Sequence, residues 1–288
     1  MANCSQEEVT VLKIKLSELY PFPDHPFGVR DDVAMGEMIE SIREYGVIVP
    51  AIVRPLEDGG YELISGHRRK HACELAGIDT MPVIVKDIDR NAATIIMVDS
   101  NIQRENILPS EKGKAYKMKL EAIKRQGSRV DLTSAQPGRK LESAEVVGQD
   151  AGDSRTQVRR YIRLTELKPE LQQMVDEGKM GMTPAVELSY LTEEEQAILL
   201  TTIESEQASP SLSQAKRIRK LAEEKSLTDD SVLQIMSEKK KPEEQNLSFS
   251  VEKIRKYFPK SYTPRQMEDK ILDLLEKYLR KRQRETER

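Results

Sequence analysis

Tyr61-Glu62-Leu63-Ile64-Ser65-Gly66-His67-Arg68-Arg69-Lys70 runs from an apolar strand through a glycine turn into a basic helix start. The first turn of a helix leaves backbone N–H groups unpaired, and its dipole favours negative charge there. Gly66 lets the backbone approach a ligand closely, while Arg68 and Arg69 add forked donors suited to phosphate oxygens. The chemistry is that of an anion site. It is not a Walker loop, because G-x-x-x-x-G-K-[ST] occurs nowhere in the chain. A solvated basic helix start is the bland alternative.

Working outward, the neighbours read as α/β. Val11 to Leu16 alternates as a short strand, and Pro21-Phe22-Pro23-Asp24-His25-Pro26 is a loop. Met35 to Tyr45 has the 3.6 period of a helix, which Gly46 ends. Strands follow at 51–54 and 61–64, joined by Glu57-Asp58-Gly59-Gly60; a helix spans 67–76 and a strand 83–86. The pattern is helical from Ala92, with a second helix over 110–125. Between the two lies Asp99-Ser100-Asn101-Ile102-Gln103-Arg104-Glu105-Asn106, which packs amides, an arginine and acids where a plain connector needs none. Arg104 can pair with phosphate, Asn101 and Gln103 can bond sugar or metal, and Glu105 or Asp99 can hold a hard divalent ion.

Residues 126–140 carry Gly, Ser and Pro without periodicity and read as a flexible linker. Everything beyond reads as helix, over about 143–148, 154–164, 168–177, 183–191, 193–207, 211–224 and 228–239. The segment from Ser154 to Arg163 is the informative one. Ser154 is a good N-cap; Val158, Tyr161 and Ile162 fall on one face, and Arg155, Arg159, Arg160 and Arg163 mostly on the other. An apolar back with a basic front that also carries Thr156 and Gln157 is what a major-groove helix needs. A charged linker over 238–245 leads to a long helix from about 264 to 282, whose stripe of Met267, Ile271, Leu274, Leu275 and Tyr278 is too small to form a core alone and predicts a homodimer.

Composition bounds these readings. With 38% hydrophobic and 33% charged residues and no Trp, the 288-residue chain suits two or more modest helical domains rather than one large sealed core. Two cysteines cannot build a disulfide framework or a four-cysteine metal site, no stretch is apolar enough to span a membrane, and the polar start lacks a signal-peptide core, so a cytoplasmic setting is expected. The net charge of −3 conceals alternation: residues 101–163 carry 14 Lys/Arg against 8 Asp/Glu, and 246–288 carry 12 against 7, each flanked by acidic stretches. Local basic blocks of this kind steer polyanions even in a chain of acidic pI. His25, His67 and His71 have no acidic or cysteine partner placed to make a metal site.

Three boxes, Gly46-Val47-Ile48-Val49-Pro50-Ala51-Ile52-Val53-Arg54, Gly66-His67-Arg68-Arg69 and Asn101-Ile102-Gln103-Arg104-Glu105-Asn106, followed by the helix-turn-helix signals, resemble in order and spacing the ParB partition-protein family, over roughly 11–225. The resemblance implies an α+β ParB/sulfiredoxin-like N-terminal domain, then an all-α helix-turn-helix domain and a small helical C-terminal module. The corresponding divisions are 1–125 for nucleotide binding, 126–140 for the linker, 141–240 for DNA binding and 246–288 for dimerisation. It also implies CTP with Mg²⁺ as cofactors: Val49 and Pro50 beside the base, Gly66, His67, Arg68 and Arg69 on phosphates, and Asn101, Gln103, Arg104 and Glu105 completing the site, Asn101 and Glu105 at the metal. Ser154, Arg155, Thr156, Gln157, Arg159, Arg160 and Arg163 would contact double-stranded DNA at a palindromic site. A ParA-type ATPase partner and a place on nucleoid or plasmid DNA follow from the same resemblance.

The departures are specific. His67 replaces the Glu of a G-E-R-R box, His71 an Arg, and Ser100 the acidic residue before Asn101. That acid supports metal binding and hydrolysis, so the resemblance implies CTP binding with at most weak turnover. The same departures suit an alternative, a helix-turn-helix transcription regulator with a vestigial nucleotide pocket. A sulfiredoxin-like thiol enzyme is disfavoured, because Gly66 stands where its nucleophilic cysteine would be.

Overall fold

The computed structural model describes residues 10–104, 107–130, 147–148, 151–238, 255–259 and 262–286, in two compact units divided after Glu238. The first unit opens with a five-stranded mixed sheet. Its strands are β1 (Val11–Lys15), β2 (Leu19–Pro21), β3 (Ala51–Pro55), β4 (Tyr61–Ser65) and β5 (Thr80–Val85), in the order β1-β5-β3-β4-β2. The pairs β1/β5 and β3/β4 are antiparallel, while β2/β4 and β3/β5 are parallel. Helices α1 (Val33–Tyr45) and α2 (His67–Ala76) cover the sheet through Met35, Ile42, Ala72 and Cys73, which pack on Ala51, Val53, Leu63 and Val83. Cys73 is fully buried in this core, and burial pushes its thiol pKa up, as suits a packing residue.

One strand, β2, escaped the sequence reading and another, β5, starts three residues earlier than read, and each has a physical cause. β2 is only three residues long and ends at Pro21; a segment that short shows no alternation to read. β5 begins at Thr80 although Pro82 interrupts it, because Pro82 faces Lys13 on the edge strand, where one missing donor is tolerated.

Helix α3 (Arg90–Ile102) starts at Asp89, whose carboxylate accepts from the Ala92 N–H at 2.8 Å. Helix α4 (Pro109–Val130) follows. It extends through 126–130, the opening of the stretch read as linker; residues 131–146 lie outside the described residues, as do 143–146 of the next expected helix, while 147–148 are helical. Helices α5 (Arg155–Leu164), α6 (Pro169–Asp176), α7 (Met182–Leu188), α8 (Glu193–Glu206), α9 (Leu212–Glu223) and α10 (Asp229–Ser237) complete the unit. α8, α9 and α10 each begin with a reciprocal capping box, on Thr192, Ser211 and Thr228. Leu164, Leu171, Leu188, Leu199, Ile218 and Val232 form the core of the helical part.

α4 belongs to both halves of this unit. Ala115 and Tyr116 are fully buried with Phe22, Ile64 and Met97 on one side and Val147 and Val158 on the other. The helix crosses α5 at Gly113, where an added Cβ would lie 2.4 Å from the Tyr161 carbonyl oxygen. Its start is held by Asp176, which accepts from the Ser110 N–H at 2.9 Å and from the Ser110 hydroxyl at 2.5 Å. Tyr116 donates its hydroxyl to Asp153, in the turn before α5, and Lys112 pairs with the same carboxylate at 2.6 Å.

The second unit holds helix α11 (Pro264–Thr286). Met267 is buried and Ile271 half-buried, but Leu272, Leu274, Leu275 and Tyr278 are all more than half exposed. Among the described residues no helix is long and apolar enough to cross a membrane.

The crossing at Gly113 yields a test whose sign is informative. On helix propensity alone Gly113→Ala would stabilise by roughly 1 kcal/mol. Here overpacking against the Tyr161 backbone dominates, so urea unfolding should show a net loss of about 1–3 kcal/mol.

Candidate functional site

The anion turn is built by the sheet. The β3/β4 register shifts between Ile52 and Val53, opposite Ser65, so the chain leaves β4 into a turn at Gly66 with φ of 118°. A Cβ on Gly66 would sit 2.7 Å from that of Ala51, so neither the backbone angle nor the space admits a side chain. Helix α2 starts here with His67, and its first turn carries Arg68 and Arg69.

The two arginines behave differently. Arg68 donates to Asp32 at 2.8 Å in a partly exposed ion pair. That contact, with the Met35 N–H donating to the same carboxylate, holds the Asp32 pKa below its usual range. Arg69 instead turns back and donates to the carbonyl oxygens of Val49, at 2.5 Å, and Pro50, at 2.7 Å. Its guanidinium, expected on phosphate, therefore braces the 47–50 segment. His71 Nε2 lies 2.8 Å from Asp31, so the replaced arginine position still ties α2 to the start of α1.

Beside the turn, a groove of about 390 Å³ runs between α1 and residues 46–49, lined by Met38, Ile42, Val47, Ile48 and Val49 with Arg69 at its edge. Ile48 and Val49 are exposed there by 73% and 63%, an unusual placement for aliphatic side chains unless something flat covers them. Val49 and Pro50 thus lie beside Gly66 and Arg69. Arg104, beyond the end of α3, adds a third cation. Desolvation lowers its pKa, and the neighbouring Arg68 and Arg69 lower it further. Among the described residues Asp32 is the one carboxylate ion-paired with any of these three arginines.

The remaining box residues are placed unevenly. Asn101 is buried: its Nδ2 donates to the Met97 carbonyl at 2.7 Å, and its Oδ1 has no partner among the described residues. Gln103 is an exposed C-cap. Glu105 lies outside the described residues. Asp99, considered as a metal ligand, pairs with buried Lys119 at 2.5 Å, and Ser100 donates its hydroxyl to the Met97 carbonyl. Among the described residues no three His, Cys, Asp or Glu side chains cluster to hold a metal. Of the two residues expected at a metal, Asn101 offers one buried, unmet oxygen and no described carboxylate joins it, so Mg²⁺ would have to be held mainly by phosphate oxygens and water.

His67 and His25, unconnected in the sequence reading, lie with ring centroids 3.9 Å apart and their planes tilted by 41°. Burial, His25 and Arg104 drive the His67 pKa down to about 3, and burial lowers that of His25. Nothing in the spacing of residues 25 and 67 could have shown this pair; only the return of the 21–27 loop over the turn makes it.

At the second site, Ser154 caps α5, accepting from the Gln157 N–H at 3.2 Å. Val158 is buried, and Thr156 and Arg159 stand exposed at the helix surface. Arg155, Gln157 and Arg160 are half-buried; Gln157 contacts the Met182 sulfur at 3.7 Å, and Arg160 donates to Thr183 at 2.5 Å. Arg163 is anchored inward. It donates to the Ser189 carbonyl at 2.7 Å and lies 4.1 Å from the Tyr190 ring, whose other face takes Arg219 at 3.8 Å. The basic front read from the sequence is therefore narrower than seven residues: Ser154, Thr156 and Arg159 are outermost, and Arg163 holds α5 to α7.

Comparison with known proteins bears on both sites. Residues 2–102 match the family model for the ParB N-terminal domain and residues 140–211 that for the ParB HTH domain. The chain is 34% identical over 175 residues to Stage 0 sporulation protein J of Bacillus subtilis, covering 61% of this chain and 56% of that one. It is 32% identical over 186 residues to the chromosome-partitioning protein Spo0J of Thermus thermophilus, covering 64% and 62%. The match thus spans less than two thirds of either relative's length. C-terminally truncated chromosome-partitioning protein ParB from Caulobacter crescentus, solved with the centromeric parS site and with CTP-γ-S, aligns at 23% and 25% identity, over 74% and 73% of this chain and 99% and 98% of those chains, with TM-scores of 0.43 and 0.31. With a ParB N-terminal domain over 2–102 and a ParB helix-turn-helix domain over 140–211, the chain belongs to the ParB family.

Proposed function

We propose that the chain is a ParB-type partition protein that binds a palindromic DNA site as a homodimer and takes CTP with Mg²⁺ in its N-terminal domain, nucleotide binding gating its hold on DNA. The observation that carries the nucleotide half is the convergence of Arg68, Arg69 and Arg104 on the Gly66 turn beside an apolar groove, with Asp32 as their one ion-paired carboxylate among the described residues. Three cations with so little compensation favour a polyanion, and the flat groove next to them suits a base.

In this reading the base lies along Val47 to Val49, under the carbonyls that Arg69 braces. Arg68 exchanges Asp32 for a phosphate oxygen; the pair is solvent-exposed and readily given up. Arg104 takes the next phosphate, and Asn101 Oδ1 turns to the ion. The nucleotide's chemistry is charge and shape rather than an electrophile to be attacked. His67 and Ser100 bring no carboxylate to the turn, so hydrolysis of CTP is weak. On DNA, α5 enters the major groove with Arg159 and Thr156 foremost and Gln157 and Arg160 behind them. The exposed leucines of α11 supply the homodimer contact, and a ParA-type ATPase is the partner on nucleoid or plasmid DNA that the family membership suggests.

Calorimetry with Mg²⁺ tests the nucleotide site. CTP should bind selectively over the other three nucleotides, and Arg68→Ala or Arg104→Ala should each weaken it by about 10- to 100-fold, the equivalent of one charge-assisted hydrogen bond. If no nucleotide binds, with DNA present or absent, the gate is excluded and a DNA-binding regulator is left. On the DNA side, Arg159→Ala should cost about 1–3 kcal/mol of site affinity and lower thermal stability by less than Arg163→Ala does. Arg163→Ala should act the other way, lowering stability by about 1–2 kcal/mol through loss of its Tyr190 and Ser189 contacts. Equal stability of the two variants would refute that division of roles.

A further inference from the structure

The nucleotide reading uses His67 only as a residue of the Gly66 turn and gives its ring partner His25 no role. The hydrogen bonds of the pair fix its protonation. The Phe22 N–H donates to His67 Nε2 at 3.4 Å, so that nitrogen carries a lone pair. His25 Nδ1 donates to the Phe27 carbonyl at 2.8 Å, which leaves His25 Nε2 as an acceptor too. That Nε2 is buried and has no partner among the described residues. A buried acceptor without a donor is a standing cost.

The charges around the pair explain why no proton fills the gap. Arg104 faces both rings, Lys70 faces His67, and the one carboxylate acting on His25 is Glu111, which already accepts from the Gly28 N–H and pairs with Arg30. Burial and these cations hold both imidazoles neutral. A polyphosphate on Arg68 and Arg104 would reverse the local field. It would also supply oxygen acceptors for an imidazolium N–H, so the unmet lone pair becomes a donor with a partner.

We infer that the His25–His67 pair is a proton-accepting part of the anion site, so that a nucleotide polyphosphate binds together with a proton taken up on His25. The inference rests on the nucleotide reading above and adds a linkage to it. By reciprocity, phosphate binding raises proton affinity and acidification tightens phosphate binding. The effect on the free protein has the opposite sign. A His whose folded pKa is depressed from 6.5 to about 3 leaves stability complete above 6.5 and progressively lost as pH falls below it.

The test is calorimetry of the full chain with CTP and saturating Mg²⁺, from about pH 8 to about pH 6 and in two buffers of different ionisation enthalpy. Beside it run His25→Gln and His67→Gln, in which a neutral amide can keep each backbone hydrogen bond while removing the titration. The wild type should take up about half to one proton per CTP and bind roughly three- to tenfold more tightly per unit fall in pH. Both variants should lose the uptake and the slope, His25→Gln while still binding at about pH 8. Circular dichroism checks folding; if His67→Gln does not fold, His25→Gln alone decides. Binding without proton uptake, or uptake unchanged in a folded variant, overturns the inference and leaves the nucleotide reading intact. No CTP binding at any pH overturns both.

Discussion

The first unit depends on one close crossing, where α4 passes α5 at Gly113 with no side chain between the helix and the Tyr161 backbone. Backbone packing this close brings Tyr116 into the core that joins Ile64 and Met97 to Val158 and places its hydroxyl on Asp153, in the turn that begins α5. Burial and the carboxylate together push the phenol pKa far up, so the group stays a donor at any ordinary pH. Lys112 neutralises the same carboxylate and lies 4.8 Å from the Tyr161 ring. A buried, satisfied network of this kind sets one register between two helices, whereas apolar contacts alone would tolerate several.

That register is what joins the two sites. Glu111 at the start of α4 accepts from the Gly28 N–H and pairs with Arg30, in the loop leading to α1, and Asp176 at the end of α6 caps Ser110. The loop before α1, α6 and α5 are thus all tied to the same helix. A nucleotide gate of the kind proposed above would need such a shared element, biased from both ends.

Most of the secondary structure was legible from periodicity: α1, α2 and most helices after residue 154 appear within a residue or two of where apolar spacing and caps put them, while α7 ends three residues earlier and α11 four residues later than read. The glycine turn was legible too, because a positive φ between strand and helix leaves few residues to choose from. What was not legible was direction. Arg69 and Arg163 were read as ligand-facing on charge and helix phase, yet one bonds carbonyls two decades earlier in the chain and the other stacks on Tyr190. Asp99 looked free and is held by Lys119. Helical phase gives the face on which a residue stands but not which neighbour the fold will bring to that face. β2 and the His25–His67 pair escaped for the same reason, since both are made by a loop returning from elsewhere.

The double allegiance of α4 also governs how the polypeptide can assemble. The sheet core draws on residues between 14 and 85, so it is complete early on an emerging chain. The second core gathers Phe22 and Phe27 with Met97, Tyr116, Val147 and Val158. Until residues 147–158 leave the ribosome, Tyr116 and its neighbours present an uncovered apolar face on an otherwise finished domain. Chains synthesised N-terminus first pass through just such exposed intermediates, which are the ones chaperones recognise. Truncation between α4 and α5 would freeze the protein at that stage, with an intact sheet and an aggregation-prone helix.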